Sequence, residues 1–221
     1  MFFHPKDGFL YISVGDEGGQ QENLAVWMTD SLQPSGVNHS PQVPKGKGHR
    51  ELTDLLLSYE FGTVLIESKT LTIFNRTSLP SRESLAADVS KHIDKAVAQL
   101  RGAVRILKLG ATVFDKHGTP LNVERKQPMH SIVLVPDFDL IQDASHYGLD
   151  FIASFMKATG GYLHLLDLAE LLRVVQAAQM ISRQGATTTP MMAFDFYLIE
   201  RAKKTLEAGT LVIEVLLRIV D

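Results

Sequence analysis

A chain of 221 residues, 45% hydrophobic and 21% charged, carries enough apolar material for one large domain core. Its net charge of −3 argues against a surface that grips nucleic acid everywhere, though not against local contacts. The absence of cysteine excludes disulfides and thiolate metal sites, and no apolar run is long enough to span a bilayer.

The start, Met1-Phe2-Phe3-His4-Pro5-Lys6, lacks the basic-then-apolar order of a secretory leader, so a cytoplasmic location is expected. Gly8–Val14 reads as a strand, and Gly15–Gly19 as a turn. Glu22–Leu32 fits either a helix or a return strand around Leu24–Met28. Gln33–Gly48, with Pro34, Pro41, Pro44 and interspersed glycines, reads as a loop: a mobile flap at a substrate entrance or a plain linker. It includes Lys45 and Lys47, and His49 and Arg50 follow directly. Two strands come next, Leu52–Tyr59 and Thr63–Lys69, joined by a turn at Glu60-Phe61-Gly62. Ser81 is a plausible N-cap for a helix running to Leu109, with Glu83 in the first turn and Gly110 as its stop. Val89, Ile93, Val97, Leu100, Val104 and Leu107 give it one buried stripe. Its polar side carries Lys91, Lys95, Arg101, Arg105 and Lys108.

Beyond that helix, Val113–Gly118 reads as a hairpin turn and His130–Val135 as a β-branched strand. Leu149–Ala158 and Leu166–Met180 read as helices, with a short strand from Tyr162 to Leu165 before the second. Thr189-Pro190 opens a last helix, ending near Glu207, in which Phe194, Tyr197, Leu198 and Arg201 share helical spacing. His130 and His164 lie in apolar strands and read as core or edge histidines. There is no glycine-rich phosphate loop, no Gly-x-Ser-x-Gly and no His-Glu-x-x-His.

The chemistry concentrates at Asp54, Glu67 and Lys69. Alternation along a strand puts Glu67 and Lys69 on one face, and the hairpin can bring Asp54 beside them. Two carboxylates and an amine at the edge of an apolar sheet are costly unless they bind something, and Mg²⁺ or Mn²⁺ suits oxygen donors. The pattern Asp54-x12-Glu67-x-Lys69, followed by a long helix, resembles the PD-(D/E)xK nuclease superfamily over Lys45–Leu109. The resemblance implies a restriction-endonuclease-like α/β fold: a central mixed sheet flanked by helices, with additional C-terminal helices. It implies one domain, with an extension at 1–48, a catalytic core at 49–135 and a mostly helical part at 136–221. Asp54 and Glu67 would hold the metal with the backbone carbonyl of Ser68, and Lys69 would hold the attacking water or stabilise charge on the phosphorane. Gln99 and Glu51 are possible supporting residues. Glu22 and Glu51 are the candidates for a further glutamate that many members carry before the hairpin. The expected partner is nucleic acid, DNA rather than RNA, with no membrane and a possible homo-oligomer through the helical C-terminal half. The competing expectation is a catalytically silent nuclease-like fold serving as an interaction protein.

Overall fold

The computed structural model describes residues 16–71, 78, 80–141, 143–184 and 187–213, together with the backbone of 2–3 and 10–11. Of the strand expected at Gly8–Val14, only Leu10–Tyr11 lies among the described residues. It forms β2 and pairs antiparallel with β1 (Phe2–Phe3). The undecided Glu22–Leu32 stretch belongs to a helix, α1 (Glu17–Asp30), whose first turn is capped by the Asp16 carboxylate accepting from the Gly19 N–H at 3.0 Å. Its buried positions Gln21, Ala25, Met28 and Thr29 keep helical spacing, but two of them are polar, which is why the apolar period is faint in the sequence.

The predicted loop at Gln33–Gly48 is instead mostly strand. It contributes β3 (Gly36–His39), β4 (Gln42–Lys45) and the start of β5 (Gly48–Glu51). Pro34 falls between α1 and β3, and Pro41 between β3 and β4. Pro44 sits in β4 beyond the single position, Gln42, that pairs with the next strand β8 (Val113–Phe114), so on that side its missing N–H breaks no ladder bond. β6 (Leu55–Tyr59) and β7 (Gly62–Ser68) form the expected hairpin, with Leu55 opposite Ile66 and Tyr59 opposite Gly62. A side chain at Gly62 would run into the Tyr59 ring, about 2.5 Å away, so this turn needs glycine.

α2 (Arg82–Lys108) starts as expected, with Ser81 Oγ accepting from the Ser84 N–H, and Gly110 follows it at φ +80°. β8 and β9 (Pro120–Leu121) are the hairpin around Gly118. β10 (His130–Val135), α3 (Leu149–Thr159), β11 (Tyr162–Asp167), α4 (Leu168–Gln184) and α5 (Pro190–Ala208) complete the chain.

The architecture is mixed α/β. A five-stranded sheet runs in the order β11-β10-β7-β6-β3, antiparallel among β3, β6 and β7 and parallel from β7 through β10 to β11. A smaller antiparallel sheet has the order β5-β4-β8-β9. β7 and β10 are buried along their whole length, which explains their continuous apolar runs, Val64-Leu65-Ile66 and Ile132-Val133-Leu134-Val135. Helices cover both faces of the larger sheet. α2 and α3 pack on Leu56, Leu65, Val133 and Leu163, while α1, α4 and α5 pack on Leu55, Leu57, Ile66 and Ile132. Parallel neighbours need crossovers, and α2 and α3 supply them. Among the described residues no helix is long and apolar enough to cross a membrane.

Candidate active site

β7 ends in Glu67-Ser68, with Lys69 just beyond it, and Asp54 precedes β6. Extending the β6–β7 register by one pair beyond Leu55 and Ile66 sets Asp54 opposite Glu67. The backbone around them is tied down. Asp54 Oδ2 accepts from the Ser68 N–H at 2.7 Å, Lys69 N donates to Leu134 O at 2.8 Å, and Thr53 Oγ1 donates to Ile66 O at 2.8 Å. Lys69 Nζ then lies 2.8 Å from Glu67 Oε2 and 3.7 Å from Asp54 Oδ2. The three residues therefore converge on the α2 side of the sheet, as strand parity requires.

The site has one negative charge too many. Glu67 is 1% exposed, while Asp54 and Lys69 open to the surface at 15% and 16%. Burial first, and Asp54 second, push the Glu67 carboxyl up to about 7 against the pull of Lys69. Burial alone would lower the Lys69 ammonium, but Glu67 and then Asp54 outweigh it and leave the amine above its ordinary value. Lys69 is thus held as an ammonium between two carboxylates, and the buried Glu67 holds its proton more tightly than an ordinary carboxyl does. The carboxylates of Asp54 and Glu67 are hard oxygen donors of the kind Mg²⁺ takes; among the described residues no group of three or more His, Asp or Glu side chains could hold a metal.

The supporting candidates separate. Glu51 ends β5 at the rim. Burial raises its carboxyl first; the Ser40 hydroxyl opposes this, and Asp54 and Glu22 raise it further. Glu22, on α1, is bonded to His39 Nε2 at 2.9 Å and acts electrostatically on both Glu51 and Lys69. Gln99 lies on the exposed side of α2, and no bond joins it to Asp54, Glu67 or Lys69.

Gln21 is a residue that sequence reasoning missed. This buried α1 side chain donates from Nε2 to Ser68 Oγ at 2.8 Å and approaches the carbonyls of Leu134 and Lys69 at 3.3 and 3.4 Å. It pins the β7 end that carries Glu67 and Lys69. Only a polar residue at a buried helical position of α1 could have signalled it.

The opposite end and opposite face of the sheet hold a second polar cluster. His130 Nδ1 and His164 Nε2 are 2.9 Å apart, His130 Nε2 is 3.5 Å from Asp195 Oδ1, and Tyr59 OH donates to that same oxygen at 2.6 Å. The two histidines are core residues, as their strands suggest, but His164 Nδ1 has no hydrogen-bond partner among the described residues. A polar cavity of about 580 Å³, lined by Asn38, Ser58, Glu60 and Glu124 among others, lies near that end and includes none of Asp54, Glu67 and Lys69. Comparison of the chain with protein-family models, with curated proteins and with solved structures gives no match.

Proposed function

We propose that the protein is a metal-dependent nuclease that hydrolyses phosphodiester bonds, with Asp54, Glu67 and Lys69 as its catalytic residues and DNA as the preferred substrate. The observation that carries this reading is the convergence of two carboxylates and one ammonium, with Lys69 Nζ within 3.7 Å of both acids, at the carboxyl end of β7. Open α/β sheets place ligands at the carboxyl ends of their parallel strands. The mixed sheet, the hairpin that presents the acids and the long helix after it also agree with the restriction-endonuclease-like arrangement expected from the sequence.

In this mechanism Asp54 and Glu67, with the Ser68 carbonyl, would hold Mg²⁺ or Mn²⁺, and the ion would supply polarisation of the scissile phosphate and acidification of a water molecule. Lys69 does what its position allows. Its ammonium orients the attacking water against the phosphorus and offsets charge gathering on the phosphoryl oxygens. Gln21 and the Ser68 N–H keep the β7 end and Asp54 in register with each other. One observation favours a catalytically silent interaction protein instead: Lys69 Nζ itself pairs with Glu67 Oε2 at 2.8 Å, as a structural ion pair would.

The test is cleavage of labelled single- and double-stranded DNA and RNA with Mg²⁺ or Mn²⁺, alongside Mn²⁺ binding. Lys69→Ala should keep metal binding and lose activity on the order of 10²-fold or more. Glu67→Gln should lose both. A native protein that binds Mn²⁺ but cuts no substrate with either metal would select the silent reading.

A further inference from the structure

The β4–β5 hairpin carries cations that the proposed chemistry does not use. Its ten residues, Gln42–Glu51, include Lys45, Lys47 and Arg50 against one acid, Glu51, in a chain of net charge −3. All three cations are exposed and have no ion-pair partner among the described residues. The tip, Gly46-Lys47, turns through a left-handed Gly46 at φ +59°, and a Cβ built on Gly46 or Gly48 would meet nothing within 4 Å. The tip therefore stands clear of the body.

Its base, by contrast, is fixed. Val43 is 1% exposed in the α2-side core, Leu52 N donates to Pro41 O at 2.8 Å, and the His49 ring meets Phe114 of β8 edge-on at 5.3 Å. The ribbon leaves the larger sheet at the candidate active site, because Ser40 N donates to Asp54 O at 2.8 Å. Its two legs thus meet at Asp54.

We propose that this hairpin is a backbone clamp for double-stranded nucleic acid, gripping phosphates beside the one presented to Asp54 and Glu67; the placement rests on the nuclease reading. Arg50 is four residues from Asp54, at most about 14 Å of extended chain, and Lys47 seven residues, at most about 25 Å. Measured along the axis of a duplex, where each strand's phosphates advance about 3.4 Å per step, those reaches cover at most about four and seven steps. A two-stranded ribbon also matches the width of a duplex major groove. The tip offers only lysines and glycines, and an ammonium on a flexible stem is a point charge suited to phosphate oxygens, so the grip is placed on the backbone. A rigid base with unpaired cations is already ordered for binding, so little ordering cost opposes it.

The experiment titrates a labelled duplex with full-length protein across a salt series, without metal so that nothing is cut. The native chain is compared with Lys45→Ala/Lys47→Ala/Arg50→Ala and with a control, Lys91→Ala/Lys95→Ala, on the exposed face of α2. A polyglutamate of similar charge and the matching single strand are further ligands. The hairpin variant should keep the native melting temperature and weaken duplex binding about tenfold or more. Its slope of log K against log salt should be shallower by about 0.9 for each phosphate it no longer neutralises. With metal present, its KM should rise while kcat holds. Equal affinity and slope in the hairpin variant and the native chain would overturn the clamp, as would an equal loss in the α2 control or binding to polyglutamate as tight as to duplex. A preference for the single strand would overturn the duplex assignment. The two readings fail separately: hairpin-dependent binding without cleavage sinks the nuclease, and cleavage with hairpin-independent binding sinks the clamp.

Discussion

Glu67 shows how one buried side chain sets a pH dependence. Its folded-state carboxyl stands at about 7, above the ordinary 4.5, because burial and Asp54 together outweigh Lys69. The folded state thus holds this proton more tightly than the unfolded state does. The stability that follows is fully present below about 4.5 and is lost as pH rises through about 7. A shift of that size corresponds to at most about 3 kcal/mol, and at 1% exposure solvent screens little of it. In metal-free protein the stability advantage of native over Glu67→Gln should therefore shrink between pH 5 and pH 8, by up to about 3 kcal/mol. Thermal melts of both proteins across that range check it, and parallel curves would contradict it. On the proposed nuclease reading a metal at Glu67 would have to displace the same proton, so Mn²⁺ affinity should climb as pH rises through about 7.

At the scale of elements, Arg201 ties α5 to three neighbouring segments. Arg201 is fully buried and donates to Glu170 Oε1 on α4, to Leu165 O on β11 at 2.6 Å and to Ile213 O at 2.9 Å. Removing one partner of a buried ion pair leaves the other charge stranded, so Arg201→Ala should cost about 3–5 kcal/mol in urea unfolding. Arg201→Met with Glu170→Leu should be less damaging than the single change by on the order of 1 kcal/mol. The spacing Phe194, Tyr197, Leu198, Arg201 already places Arg201 on the buried stripe of its helix; its acid, 31 residues earlier, is not visible in the sequence. The same division holds elsewhere. The β6–β7 hairpin, α2 and the acid pair could be read because local periodicity and caps specify them. Gln21 could not, because its bond to Ser68 spans 47 residues and its helix has a faint apolar period. β3 to β5 were masked by prolines that fall between elements or on an unpaired side.

Across the whole molecule the two faces of the sheet respond to pH in opposite directions. On the α2 face Glu67 makes the fold less stable as pH rises; on the α4–α5 face His164 makes it less stable as pH falls. Burial first, then His130 and Arg201, hold the His164 imidazole well below its ordinary 6.5. The unfolded chain therefore takes up a proton there that the folded chain refuses. The stability this represents is present above about 6.5 and drains away as pH drops below it. Asp195 lies against His130 rather than His164, and Arg201 supplies a like charge, so nothing on α5 compensates a cation at His164. The variant His164→Gln removes the titrating ring along with its bond to His130 Nδ1. It should be less stable than native at pH 8, by about 1–3 kcal/mol for the stranded histidine. Its stability should also fall less steeply between pH 6.5 and pH 5. Urea unfolding at half-unit pH steps measures both quantities. A His164→Gln curve that stays parallel to the native one on the acid side would mean that His164 does not control that limb.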